Sequence, residues 1–195
     1  MKHLFLIPIL LILTACSSLG GSSDSTRFYS LSSIDENKTA PTGRLTLGIG
    51  PVRLPHRLKR PQIVTRINKN ELHVTEDHQW AGSLKEDITQ VLTDNLSTLV
   101  GTEQIESYPW KRYFKPDFRI RVQIERLDGE PGKAVTLKAR WWLRSTLTRF
   151  SKMDQPARKS TITVQTKGEG YTPYVAAQSR ALYQLSQEIA AEINR

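Results

Sequence analysis

Cys16 is the residue whose type and position most directly indicate covalent chemistry, because it is the only cysteine among 195 residues. It directly follows Leu13-Thr14-Ala15, at the end of a short apolar run that begins at Leu4 and is introduced by Lys2. A charged start, a short apolar middle and small residues before a cleavage site are typical of a secretory signal peptide. The run is too short for a comfortable membrane span, which needs about 20 apolar residues.

The segment Leu13-Thr14-Ala15-Cys16 resembles the lipobox of bacterial lipoproteins, in which a peptidase cuts before the cysteine and the thiol is acylated. We therefore predict that residues 1–15 are a lipoprotein signal peptide and that Cys16 carries a covalent acyl lipid, with no other cofactor. The alternative is an ordinary signal peptide with a chance cysteine. Ser17, by resemblance to the enterobacterial sorting rule, favours the outer membrane, facing the periplasm, over the inner membrane.

The residues after Cys16 predict a tether followed by a folded domain. Residues 16–26 are rich in serine and glycine, a composition that buries little surface and stays flexible. Residues 27–195 are enough for one domain with its own core. The chain has 28 lysines and arginines against 19 aspartates and glutamates, a formal net charge of +9. This balance indicates anionic partners, either lipid head groups or an acidic protein face, since export argues against nucleic acid.

Two groups of basic residues are candidates for contact with such partners. The first lies in a loop bounded by two prolines and holds Arg57, Lys59 and Arg60. Residues 117–127 and 133–148 alternate apolar and polar side chains, which predicts two adjacent antiparallel strands with one buried and one exposed face. The exposed face gathers the second group: Arg119, Arg121, Lys138, Arg140, Trp142 and Arg144. Each group is either a solvated surface or a docking site for anionic lipid or protein.

Aromatic residues accompany basic ones in the loop of residues 109–116. Trp110, Tyr113 and Phe114 stand among two lysines and an arginine. Basic residues interleaved with aromatics can bind single-stranded nucleic acid. The predicted export instead favours a membrane or protein contact, and packing within the fold is the simpler alternative.

Two amphipathic helices are predicted to support these surfaces. Ser83 and Glu86 fit a capping box before an apolar stripe with helical spacing, and Gly101 fits the left-handed residue beyond its end. A second stripe runs from Tyr174 to the end of the chain, with Thr172 as its predicted N-cap.

Short strands and turns fill the rest of the domain. Besides the two long strands, strands are predicted at residues 27–31, 44–54, 62–67, 71–75, 104–108 and 159–167, with a turn at residues 128–132. The predicted fold class is α/β: a single domain in which a mixed, largely antiparallel sheet is covered by two main helices.

No catalytic arrangement is recognisable in the sequence. It has no glycine-rich phosphate loop, no His/Cys metal spacing and no Gly-x-Ser-x-Gly elbow. His56, His73 and His78 are predicted to be surface residues. Glu188 and Glu192 are predicted to be a solvated pair, which does not resemble the raised-pKa acid that acid–base catalysis needs. We therefore expect no metal site and no enzyme activity.

An ordered set of short segments resembles the PqiC/YmbA-like family of ABC-type transport auxiliary lipoproteins. The set covers nearly the whole mature chain. Its members are Phe28-Tyr29-Ser30-Leu31, Val52-Arg53-Leu54-Pro55, Arg60-Pro61-Gln62-Ile63-Val64-Thr65-Arg66, Trp80-Ala81 with Leu84, Leu92 with Asn95-Leu96-Ser97, Trp141, Gly170-Tyr171 and Ile189-Ala190.

The resemblance implies a compact α/β domain with a non-catalytic role. The domain would be an accessory of an MCE-type ABC system that moves lipids between the inner and outer membranes. It would dock or stabilise the MCE-domain protein at the outer membrane, as a monomer or a homo-oligomer. Two other functions remain open. One is a binding partner or regulator of a cell-wall synthase, and the other is a periplasmic hydrolase whose site the sequence does not reveal.

Overall fold

The computed structural model describes residues 25–34, 44–147 and 156–195. The predicted signal peptide, Cys16 and most of the predicted tether lie outside the described residues, as do residues 35–43 and 148–155. The described part of the chain forms eight strands, two α-helices and one short 3-10 turn. In chain order these are β1 Arg27–Tyr29, β2 Leu47–Arg53, the 3-10 turn His56–Leu58, β3 Gln62–Arg66, β4 Leu72–Trp80, α1 Leu84–Val100, β5 Ile105–Ser107, β6 Phe118–Glu130, β7 Ala134–Ser145, β8 Arg158–Gln165 and α2 Tyr171–Ile193.

The strands form two mixed sheets, ordered β1-β4-β3 and β5-β2-β6-β7-β8. In the five-stranded sheet β2 is parallel to β5 and β6, whereas β6, β7 and β8 run antiparallel to one another. In the three-stranded sheet β1 is parallel to β4, and β3 is antiparallel to it. The predicted fold class, a single α/β domain with two helices on mixed sheet structure, is confirmed, and the structure adds the division into two sheets.

Both helices pack on one face of the five-stranded sheet. Helix α1 contacts β2 and β5, α2 contacts β6, β7 and β8, and the two helices contact each other. The apolar members of the alternating strands point towards the helices and are buried, among them Ile120, Val122, Leu137 and Trp141. The polar members lie on the opposite face, here called the outer face, which no helix within the described residues covers.

Strand β6 changes its neighbours along its length. It pairs with β2 only from Phe118 to Gln123, and β3 also contacts it. A register shift against β7 between Ile124 and Arg126 adds one residue to β6, so Leu127 again faces the helices. The prediction of a turn from Asp128 was wrong, because β6 continues through Glu130 and Asp128 is held inside the strand by arginine partners described below.

The two helix starts follow different rules. The side chain of Ser83 accepts a hydrogen bond from the amide of Glu86, and Gly101 ends α1 with a φ of 71°, as predicted. The predicted cap of α2 at Thr172 was wrong. The helix begins two residues earlier than predicted, at Tyr171, and its N-cap is Gly170, which has no side chain to cap with. Its φ of 83° turns the chain into the helix, a conformation that favours glycine.

Strand β4 is longer than the sequence indicated. It was predicted to end at Thr75, yet it continues to Trp80 through a polar stretch. The extension is stabilised by pairing on both sides, since β1 pairs with His78 to Trp80 and Gln62 of β3 pairs with Gln79. Two-sided pairing compensates for polar residues with little strand propensity.

The segment after β1 is fixed by polar groups on both helices. The Leu31 amide donates a hydrogen bond to Asp87 Oδ2 (3.4 Å). The Ser32 amide donates to Ser179 Oγ (3.2 Å). The Ile34 amide donates to Asn95 Oδ1 (3.1 Å). Asn95 is the polar residue beside the apolar stripe of α1, and it is buried. We call these three bonds the amide clamp. The clamp explains why an asparagine occupies a core position, since buried backbone amides need partners.

Candidate functional site: an arginine–tryptophan cleft

The outer face contains a cleft with a volume of about 300 Å³ at the start of β6. Both of its walls carry aromatic and arginine side chains. Its lining residues are Gly50, Pro51, Tyr108, Trp110, Arg119, Arg121, Trp142, Leu143 and Arg144. The predicted exposed-face residues Arg119, Arg121, Trp142 and Arg144 are therefore brought together in one concave site. The pattern of alternation did not predict that concavity.

Glycines in β2 form the floor on which the aromatic loop rests. A Cβ at Gly48 would lie 2.9 Å from the Pro116 Cγ and 3.2 Å from the Trp110 ring, and a Cβ at Gly50 would lie 2.9 Å from the Tyr108 Cβ. Only bare backbone lets these side chains approach so closely. Outward-facing glycines at alternate positions of β2 were the sequence signal for this cleft.

Each of two arginines in the cleft lies over an indole ring. The guanidinium carbon of Arg121 is 5.2 Å from the Trp142 ring centroid, and that of Arg119 is 5.9 Å from the Trp110 ring centroid. Tyr108 meets Trp110 edge to face at 5.3 Å. Cation–π contacts of this kind contribute about 0.5–2 kcal/mol and hold the planar guanidinium in place. A guanidinium in such a contact still has N–H donors with which it can bind an anion.

The remaining residues of the predicted exposed face lie outside the cleft. Lys138 is exposed and pairs in register with Arg126. Arg140 forms an ion pair with Glu125, the residue at the register shift of β6. The outer face is therefore basic along its length, and within the described residues Arg140 pairs with a carboxylate whereas Arg119 and Arg121 contact indole rings.

The basic loop after β2 is divided between fold and surface. The guanidinium of Arg57 donates to the carbonyl oxygen of Glu125, so its position is fixed against β6. Lys59 and Arg60 are exposed at the rim of a second groove, of about 400 Å³, next to the start of α1. The structure thus places Arg57 within the fold and does not bring this loop into the arginine–tryptophan cleft. Contact of the three residues with a partner stays a prediction.

Asp128 is the centre of a buried charge cluster that the sequence did not reveal. Its side chain is 0% exposed and binds Arg66 Nε at 2.7 Å and Arg126 Nε at 2.7 Å. A second bond of 3.0 Å from Arg66 to the other carboxylate oxygen makes that pair bidentate. Burial by itself would raise the pKa of Asp128, but the bonds and charges of the two arginines outweigh it and lower the pKa. Asp128 is therefore a structural ion, unlike a catalytic acid.

Tyr174 of α2 connects this cluster to the helix. Its hydroxyl donates to the Val64 carbonyl of β3 and accepts from the Gly129 amide of β6, each at 3.1 Å. Burial raises the pKa of Tyr174 well above its ordinary value. The hydrogen bond to Asp128 likewise raises the pKa of Arg66. Strands β3 and β6 and helix α2 are thereby joined at one point.

Two polar residues have partners that the sequence did not indicate, and for Glu192 the prediction of a solvated side chain was wrong. His78 is half-buried, stacks on Tyr171 with ring centroids 3.8 Å apart and forms a 2.7 Å hydrogen bond with the Tyr29 hydroxyl. Desolvation lowers the pKa of His78. Glu192 is buried and forms ion pairs with Arg158 and Arg195, so it does not belong to a solvated pair.

Two further features are absent from the described residues. Residues 25–34, 44–147 and 156–195 contain no group of three or more side chains that could hold a metal ion. None of the helices in those ranges is long and apolar enough to cross a bilayer.

A sequence model of the family described as "ABC-type transport auxiliary lipoprotein component" matches residues 29–190. The chain therefore belongs to this family of lipoproteins, whose members are auxiliary components of ABC-type transport. The match confirms the family resemblance that the sequence segments indicated. No match was found among curated proteins.

Two solved structures of low sequence identity share the fold of this chain. The structure of an uncharacterised protein matches with a TM-score of 0.69 and 19% identity, over 87% of this chain and 99% of that one. A Xanthomonas campestris protein of the family DUF330 matches with a TM-score of 0.65 and 16% identity, over 85% of this chain and 93% of that one. A PelC dodecamer from Paraburkholderia phytofirmans is more distant, with a TM-score of 0.44 and 8% identity over 78% and 93%.

Proposed function

We propose that this auxiliary lipoprotein is anchored by an acyl lipid on Cys16 to the outer membrane, facing the periplasm. There it docks or stabilises the MCE-domain protein of an ABC-type lipid transport system without catalysing a reaction. Family membership supports association with an ABC transport system. Among the described residues, Asp128 is the carboxylate with a shifted pKa, and it is buried and paired, which fits a binding role better than hydrolysis.

One observation carries the docking part of the proposal: the contrast between the two faces of the five-stranded sheet. One face is covered by both helices, and the outer face presents Arg119, Arg121 and Arg144 around Trp142, with Lys138 further along β7. Interfaces are enriched in arginine and tryptophan, and a basic patch favours an acidic partner. The outer face is thus the surface we assign to the partner protein.

Photo-crosslinking in cells tests this assignment. A photoreactive amino acid placed at Lys138 or Arg144 should crosslink to the MCE-domain protein encoded with this lipoprotein. Placed at Gln184, which is exposed on α2, it should not. In a Cys16→Ser background the crosslinks should weaken and labelling with palmitate should disappear, because the anchor is lost.

Three results would contradict the proposal. Crosslinks from Gln184 alone would move the interface to the helices. A cell-wall synthase as the crosslinked protein would favour the alternative function. Undiminished palmitate labelling of the Cys16→Ser variant would refute the lipid anchor.

A further inference from the structure

We propose that the arginine–tryptophan cleft is itself a lipid-binding site, which takes the phosphate ester of an anionic amphiphile and the first part of its apolar chain. This inference goes beyond docking, since the cleft needs no partner protein to bind such a ligand.

The cleft has the donors that a phosphate ester requires. Within the described residues, Arg119 and Arg121 contact indole rings, whereas Arg126 and Arg140 have carboxylate partners. A guanidinium matches the geometry of phosphate oxygens and can donate two parallel hydrogen bonds. A cation–π contact uses none of the N–H donors of the guanidinium and restricts the side chain before the ligand binds.

The other lining side chains suit an apolar chain. Tyr108, Trp110 and Trp142 are aromatic, and Pro51 is aliphatic. Indole rings favour positions where apolar and polar surroundings meet. The volume of about 300 Å³ lies at the lower end for ligand pockets, so it fits a head group and the start of one chain.

The side chains that line the cleft favour an amphiphile over a peptide. Apart from the arginines, the lining side chains are aromatic or aliphatic. A peptide would bring amides along its whole length, and a buried amide without a hydrogen-bond partner is costly. An amphiphile concentrates its polar atoms in one head group, which the arginines can satisfy.

The cleft lies at the start of β6, whereas the three-stranded sheet meets β6 near Gly129 through Arg66 and Tyr174. Arg121 lies about 25 Å from Gly129 along β6, at about 3.3 Å per residue. A short-chain lipid dispersed as single molecules is the appropriate probe, because it can reach the cleft without a bilayer surface.

The test is a titration of the purified mature protein with dihexanoyl phosphatidylglycerol below its micelle concentration, followed by tryptophan fluorescence. Trp110 and Trp142 line the cleft, so binding should change the emission. The Arg119→Gln/Arg121→Gln variant should bind at least about tenfold more weakly, because hydrogen bonds to charged groups contribute about 1.5–3 kcal/mol each. Lys138→Gln is the matched control: it removes a charge from the same face outside the cleft and should change the affinity less than about twofold.

Comparison ligands make every outcome decisive. Dihexanoyl phosphatidylcholine has the same acyl chains but no net charge, and inorganic phosphate has the charge but no acyl chain. An acidic peptide has negative charges on the side chains of a polypeptide instead of on a lipid head group. Preference for phosphatidylglycerol over all three, with the loss confined to the double arginine variant, supports the site. Absence of binding, equal affinity for any comparison ligand, or an equal loss in Lys138→Gln would overturn it. The crosslinking result is independent, so the docking proposal can stand or fall separately.

Discussion

The arginines near the two ends of β6 have different kinds of interaction partner. Arg126, together with Arg66 of β3, binds the fully buried carboxylate of Asp128. Arg119 and Arg121 lie over indole rings on the exposed outer face. The first cluster uses its hydrogen-bond donors to join β3 to β6, whereas the second keeps its donors at the surface of a cleft. The partner of an arginine, more than the residue itself, therefore separates a structural role from a binding role.

Removal of the buried charge of Asp128 should give the largest loss in the free energy of unfolding. Asp128→Asn keeps the shape of the side chain but leaves two arginines without their carboxylate, and breaking a buried ion pair costs about 3–5 kcal/mol. Because both arginines are partly exposed, at 19% and 28%, we expect the lower end, about 3 kcal/mol. Urea unfolding followed by circular dichroism measures the loss. A change under about 1 kcal/mol would show that the cluster contributes little to the fold.

The pH dependence of the free energy of unfolding should show the contribution of the buried cluster around Asp128. The folded-state pKa of Asp128 is lowered, so its contribution is present above the unfolded-state pKa, about 3.9, and is lost as the pH falls through the folded value. The stability difference between the natural protein and Asp128→Asn should therefore stay constant near neutral pH and narrow below about pH 4.

Taking the difference between the two proteins cancels the titration of other groups, among them His78, whose pKa is also lowered. Urea midpoints measured across this pH range provide the comparison. A difference that narrows well above the ordinary carboxyl pKa would assign the effect to another group.

The cleft arginines should have the smallest effect on stability. Arg119→Gln/Arg121→Gln removes two exposed charges and their cation–π contacts, and we expect a change within about 1 kcal/mol. The same variant carries the expected loss of lipid binding. If it unfolded as readily as Asp128→Asn, the two clusters would not differ in role.

Local sequence patterns predicted the elements that depend on local physics. Strict alternation predicted β6 and β7 and their two faces, because period-two patterns follow directly from strand geometry. Ser83, as part of a capping box, and Gly101, as a left-handed residue, predicted the limits of α1, because helix caps depend on residues close in sequence. The residues of the outer face were thus identified correctly as a group.

Features that depend on distant partners were not predictable. Asp128 precedes a glycine and a proline and resembles a turn residue until Arg66, far away in sequence, is placed against it. The polar end of β4 becomes a strand only when β1 pairs with it. The contribution of Trp110 and Tyr108 to the cleft likewise depends on the contact between their loop and the glycines of β2.

The amide clamp has a mechanical consequence. If the chain is held by its N-terminal end, a pull reaches β1 first, and β1 pairs with β4 over only three residues. The next resistance comes from the bonds of Leu31, Ser32 and Ile34 to side chains of both helices. The force is thereby shared between α1 and α2 before it reaches the five-stranded sheet. Strand β1 can therefore detach under tension while the cleft keeps its shape.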